Sequence, residues 1–347
     1  MKKYILFILM IVSILACTKT LDFDDEGLAN KLVFNGIIQT GDSFNANLLR
    51  SSSILSEPRE GAMFAGGTIL LYENGTLLST ASSPLGQFSL TDIKPKAGAN
   101  YRIVVNTENE MIEAATNIPQ KAEVISVDTS SVKNEFGRWT NYKVNIKDPL
   151  GEDCYRLVLM SESLSFYTSK DSLGNDKRYY AVNTHQWLFN SDDPVFKNLY
   201  NNFGQDVIDA GPNNDYSIFT DDYFQGKGYS LQFQVYNSYN GGGYGYSDPS
   251  SPNLSSGIIY QRYIIHVQKL SKELFNYLKY IKLYEFYHDD PFAEPVPVYS
   301  NIINGVGIFA GVNDEAQFSF QETYIPFSMD TIKIEENGYN NGGGYSY

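Results

Sequence analysis

"GGTILLYENGTLLST" (residues 66–80) reads as a β-hairpin, and that reading decides the fold. Apolar and β-branched residues flank Asn74-Gly75, the pair that supplies the two positive backbone angles of a type I′ turn. Working outward, "KLVFNGII" (31–38) and "FNANLLR" (44–50) are short half-buried runs upstream, while "GQFSL" (86–90), "NYRIVVN" (100–106) and "ENEMIEAATNIP" (108–119) follow. Short strands at regular spacing, separated by Gly, Pro and Asn, predict a small antiparallel sandwich over 31–119.

The order of these strands and turns resembles the prealbumin-like, Ig-like and carboxypeptidase-regulatory modules of cell-surface proteins, which position partners and seldom catalyse. "IPQKAEVISVDTSS" (118–131) reads as a connector into a second β-rich domain, 120–336. Its strands are predicted in "YKVNIKDP" (142–149), "CYRLVLMSESLSFYTS" (154–169), "YSLQFQVYNSY" (229–239) and "QRYIIHVQKL" (261–270). Residues 186–228 read as loop-rich, with one short helix in "FNSDDPVFKNLYNNFGQDV" (189–207). A longer helix is expected near 271–286, N-capped by Ser271, with Leu274, Phe275, Leu278 and Ile281 on one face. The expected fold class is therefore mostly β, a sandwich followed by a β-rich domain with one or two helices.

The N-terminus reads as an export signal. Met1-Lys2-Lys3 precedes an apolar run from Tyr4 to Leu15, and the small Ala16 stands before Cys17. The run is shorter than the ~20 apolar residues of a spanning helix. Ile14-Leu15-Ala16-Cys17 resembles a lipobox, which makes 1–16 a signal peptide and Cys17 the lipid attachment site; plain secretion is the alternative. Residues 17–30 form an acidic tether with Asp22, Asp24, Asp25 and Glu26, either a solvated linker or a tag for the outer face of the outer membrane. The expected location is the outer membrane, lipid-anchored, on the extracellular face.

A formal charge of -14, from 40 acidic against 26 basic residues, argues against nucleic acid and anionic lipid surfaces as partners. The second cysteine, Cys154, sits in a strand-like run and reads as a small core hydrophobe. With Cys17 acylated no disulfide framework and no thiolate metal site remain.

The sequence offers little catalytic chemistry. His185, His266 and His288 are not at metal-ligand spacing, and "GDS" (41–43) reads as a turn because no Gly-x-Ser-x-Gly or late Asp-x-x-His accompanies it. Paired acids at Asp192-Asp193, Asp221-Asp222 and Asp289-Asp290 leave open glycosidase acids or a structural calcium ion. Otherwise no cofactor is expected.

Two segments echo each other: "YNSYNGGGYGYS" (236–247) and "NGYNNGGGYSY" (337–347), the second a Gly/Tyr-rich tail. Tyrosines on a pliable backbone make an amphipathic contact surface, so Tyr236, Tyr239, Tyr244, Tyr246, Tyr339, Tyr345 and Tyr347 are the candidate partner or ligand contacts. The alternative is a low-complexity loop and tail.

"SIFTDDYFQGKGYSLQFQ" (217–234), "VQKLSKELFNYLKYI" (267–281) and above all "DPFAEPVPVYSNIINGVGIFAG" (290–311) resemble the recurring motifs of a Bacteroidota lipoprotein family, domain of unknown function 4249. The resemblance implies an accessory role beside a TonB-dependent outer-membrane transporter of the starch-utilisation type and its companion lipoproteins, and it brings no catalytic residues. The third motif is explained by turn chemistry: three prolines force an extended path, "VPVYSNI" reads as a strand, and Asn304-Gly305 with Gly307 turns the chain into "IFAG". A ligand-binding reading would instead turn Tyr299 and Asn301 outward. The function expected is a non-enzymatic, lipid-anchored accessory of a nutrient-uptake system, with a glycan or peptide as cargo. The alternatives are a structural or adhesive surface lipoprotein and, more remotely, a hydrolase using an acidic pair.

Overall fold

The computed structural model describes residues 31–52, 63–134, 137–170, 173–174, 176–200, 212–237, 256–290 and 296–324. The chain is mostly β. Strands β1 (Leu32–Gln39), β2 (Phe44–Arg50), β3 (Met63–Phe64), β4 (Gly67–Glu73), β5 (Thr76–Ser83), β6 (Gln87–Leu90), β7 (Asn100–Asn106) and β8 (Met111–Asn117) come first. The 66–80 hairpin forms as its turn chemistry requires, with φ of 49° at Asn74 and 84° at Gly75. Then follow β9 (Glu123–Asn134), β10 (Gly137–Lys147), β11 (Cys154–Lys170) and β12 (Asp176–Trp187). A short helix α1 (Pro194–Lys197), β13 (Ile218–Thr220), β14 (Gly228–Asn237), β15 (Ser256–Leu270), helix α2 (Lys272–Tyr287), β16 (Val306–Asn313) and β17 (Gln317–Tyr324) complete the chain.

A ten-stranded sheet carries two smaller ones. Its spine runs β12-β11-β15-β16-β1-β2-β3, with β13, β17 and β6 paired beside it. The four-stranded sheet β5-β4-β7-β8 packs over its early strands, burying Phe34, Phe44, Ile69, Ile103 and Phe309 in one core. The three-stranded sheet β14-β10-β9 packs over β11 and β15, burying Val144, Leu157, Leu231, Phe233 and Ile265 in a second. These are sandwich-like layers, and the alternation of β1 (buried at Leu32, Phe34 and Ile38) and of β10 records their inward faces. The expected boundary at Pro119 falls between β8 and β9, and the large sheet crosses it, since β1 pairs in parallel with β16.

Helix α2 begins at Ser271 as expected, its Oγ accepting from the N–H of Leu274. Leu274, Phe275, Leu278 and Leu283 are its buried residues, and with Ile308, Ala310 and Val312 most of them form a third cluster. Ile281 is only partly buried. Cys154 joins this cluster as a free, buried thiol, and burial pushes it up to about 12. Among the described residues no helix is long and apolar enough to cross a membrane.

Two expectations are corrected. Residues 123–131, read as a connector, belong to strand β9, which presents Ile125 outward at 63% exposure. The described part of "VPVYSNI" is not a strand. Pro297 removes a ladder donor, and Asn301 replaces the ladder with its side chain, bonding both backbone groups of Phe309.

Candidate functional site

The three-stranded sheet turns one face to the core and the other outward, because its strands alternate. On β10, Thr140, Tyr142, Val144 and Ile146 are buried, while Asn141, Lys143 and Asn145 alternate with them on the other face. On β14, Leu231, Phe233 and Val235 are buried and Gln232, Gln234 and Tyr236 are exposed. Tyr142 and Phe233 stack at 4.9 Å beneath the sheet and hold its inner side in place.

Cross-strand register arranges the outward residues between Trp139 and Asn145 into four rows. Val132, Trp139 and Tyr236 form the first, and Ser130, Asn141 and Gln234 the second. Asp128, Lys143 and Gln232 form the third, and Ser126, Asn145 and Ser230 the fourth. Two residues of rise separate the rows, so the face is about 20 Å long. At one end Trp139 and Tyr236 lie with ring centroids 4.9 Å apart at 55°. At the other, Asn145 is fixed, its amide donating to Ser126 Oγ (2.8 Å) and Asp128 Oδ2 (3.1 Å) while its oxygen accepts from Ser230 Oγ (2.5 Å).

Residues 190–194 wall this face along β14. Asn190 and Gln234 exchange backbone hydrogen bonds, and Ser191 Oγ donates to the Gln232 carbonyl. Asp193, 8% exposed, caps α1 and takes Tyr229 Oη at 2.6 Å and the Gln232 N–H at 3.1 Å. The bond to Asp193 and, before it, burial push the Tyr229 phenol well above its ordinary range. Between wall and sheet lies an open groove of about 830 Å³, with Asp128, Asn141, Lys143, Gln232 and Gln234 among its lining. The arrangement offers an aromatic platform beside a row of amide donors and acceptors, with the Lys143 ammonium and the Asp128 carboxylate among them.

Of the residues singled out in the sequence, Tyr236 lies in this face. Tyr239, Tyr244, Tyr246, Tyr339, Tyr345, Tyr347 and the lipid-attachment residue Cys17 lie outside the described residues. Asn301 and Tyr299 serve the fold: Asn301 bonds Phe309 and the Ala115 carbonyl, and Tyr299 packs on the cluster around α2. The histidines occupy three different elements. His266 Nδ1 is 3.0 Å from both carboxylate oxygens of buried Asp314. His185 packs edge-on against Trp187, and His288 caps α2. "GDS" is the turn between β1 and β2, with Ser43 N–H donating to Asp42 Oδ1.

The acidic pairs also separate. Asp192 pairs with Lys197, Asp289 lies beside His288, and Asp222 accepts from Thr220. Asp221 instead meets Asp148 and Asp153, an oxygen of each lying within 4.8 Å of the others. Asp148 and Asp221 are each 2% exposed, too enclosed for a sugar ring to pass between them as a glycosidase requires.

Trp139 was not legible as a site residue. The polar alternation in "YKVNIK" and "SLQFQVY" was the available signal, because every outward position there carries an amide, a hydroxyl, a lysine or a tyrosine.

These features define a mostly β protein with several sheets and an open, amide-lined face. The chain belongs to the family described as Domain of unknown function (DUF4249), which it matches over residues 18–317. The matched region begins directly behind Cys17, and the tail at 337–347 lies beyond it. A search of curated proteins finds no match.

Proposed function

We propose that this protein is a lipid-anchored, non-enzymatic accessory of a TonB-dependent nutrient-uptake system, held by Cys17 on the extracellular face of the outer membrane, and that the outward face of β9, β10 and β14 takes an oligosaccharide cargo. The observation that carries the cargo reading is the joining of the Trp139–Tyr236 pair to Asn141, Gln232 and Gln234 on one continuous face. Sugar C–H surfaces stack on aromatic rings, and planar amides both donate to and accept from sugar hydroxyls. Along the wall the β14 edge is occupied at Gln234 by Asn190 and at Gln232 by Ser191 and Asp193, so a peptide that adds as a strand does not find a free edge at those two positions. The anchoring reading is supported by the lipobox and by a family match that starts one residue behind its cysteine.

The test is native purification of the tagged, membrane-extracted protein in mild detergent, beside a variant lacking residues 338–347. Recovery of a large β-barrel transporter with the intact protein supports the accessory role, and its loss on truncation assigns the tail to the interface. Recovery of no barrel from either contradicts the role.

A further inference from the structure

Two turns that lie far apart in the chain meet where the large sheet adjoins the three-stranded one. Asp148 and Asp153 bracket the turn between β10 and β11, and Asp221 opens the turn between β13 and β14. Backbone bonds fix the meeting: Asp221 N–H donates to the Asp153 carbonyl (3.2 Å) and Asp148 N–H to that of Lys227 (3.1 Å). The Asp148 carboxylate is oriented by Tyr155 Oη at 2.5 Å and the Gly226 N–H at 2.9 Å. Asp153 is held by Lys269 Nζ at 2.5 Å, a lysine only 3% exposed.

Asp221 is different. It is 2% exposed, and its Oδ2 is buried without a hydrogen-bond partner among the described residues. A buried carboxylate oxygen without a donor is a costly arrangement, and one lysine does not balance three carboxylates.

The spacing fits a calcium ion. Calcium holds carboxylate oxygens at about 2.4 Å, so two ligands on opposite sides of one ion are about 4.8 Å apart, and the three aspartates keep within that span. We propose that Asp148, Asp153 and Asp221 bind one calcium ion, which staples the β10–β11 turn to the β13–β14 turn. Water and backbone carbonyls complete the shell, and the donors on Asp148 orient it from outside. Lys269 lowers the affinity by its charge, which sets the expected dissociation constant at about 10⁻⁴ to 10⁻³ M, the range of extracellular modules.

The test uses the membrane-extracted full chain, stripped with chelator, and two probes: calcium in thermal melts and terbium in luminescence. At calcium a hundredfold above its dissociation constant the melting temperature rises by roughly 5 °C. Terbium emission, sensitised by Tyr155, saturates and is displaced by calcium. Asp221→Asn melts no lower than the wild type without metal, since it removes an unpaired charge, and it loses both responses. The half-buried Asp153→Asn serves as the second variant with the same expected loss, and Asp192→Asn responds as wild type. An unchanged melting temperature in the wild type, or an equal terbium and calcium response in either variant, overturns the site. Both readouts are independent of sugar binding.

Discussion

Trp139 and Tyr236 face each other across the β10–β14 ladder, directly paired in register, on the outward side of a sheet whose inward side is buried. Tyr236 is 38% exposed, so the pair contributes modestly to the core and presents its rings to what lies outside. Trp139→Ala is predicted to weaken oligosaccharide binding about tenfold, equivalent to about 1.4 kcal/mol, within the range of a ring contact. Titration calorimetry reads the loss, and a denaturant midpoint close to wild type shows that the fold is retained.

Asn301 grips Phe309 from within the "DPFAEPVPVYSNIINGVGIFAG" motif. Its Nδ2 donates to the Phe309 carbonyl (2.7 Å) and the Ala115 carbonyl (3.1 Å), and its Oδ1 accepts the Phe309 N–H (3.0 Å). Asn301→Ala leaves buried backbone groups without partners and is predicted to cost about 3 kcal/mol. Urea unfolding checks this, and a loss of under about 1 kcal/mol would return Asn301 to the list of ligand contacts.

Ser271 serves two elements at once. Its Oγ accepts from Leu274 N–H in α2 (3.3 Å) and from Gly311 N–H in β16 (3.2 Å), and the residue is 0% exposed. Ser271→Ala is predicted to destabilise by about 2 kcal/mol, above an ordinary N-cap loss. Ser271→Thr, which keeps the oxygen, is expected to recover part of it in the same urea experiment.

Glu73 is an acid-sensitive contact of the four-stranded sheet. The bond from Tyr101 Oη (2.8 Å), followed by the Lys96 ammonium (3.0 Å), holds the Glu73 carboxyl below 4.5 despite some desolvation. A lowered folded-state value means that the stabilisation is complete above pH 4.5 and is lost as pH falls through the folded value. Glu73→Gln is therefore expected to lose less stability than wild type between neutral and acid pH, and equal acid slopes in thermal melts contradict the assignment. Burial first, then the bond to Glu73, pushes Tyr101 up to about 12, so stability is also expected to fall as pH rises from 10 toward 12.

Local chemistry was legible in the sequence and long-range convergence was not. The Asn74-Gly75 hairpin and the Ser271 cap were readable because one or two residues dictate the backbone there. Strand β9 was not, because Ile125, Ser126, Asp128 and Ser130 mix apolar and polar residues without the alternation of a strand with one side buried. "VPVYSNI" alternates like a strand, but proline chemistry and the Asn301 side chain decide otherwise. Of the outward face of β9, β10 and β14, Tyr236 was visible through its glycine-rich neighbours, whereas Trp139 reaches it only through the β10–β14 register. Asp221 was visible in a pair with Asp222, but its partners Asp148 and Asp153 come from another turn altogether.

The most direct test of the central claim is an oligosaccharide array probed with the purified wild-type chain and with Trp139→Ala side by side. The expected result is saturable binding of one class of glycan by the wild type and its marked loss in the variant. Absence of binding by the wild type, or equal binding by both chains, would contradict a glycan site on the face of β9, β10 and β14.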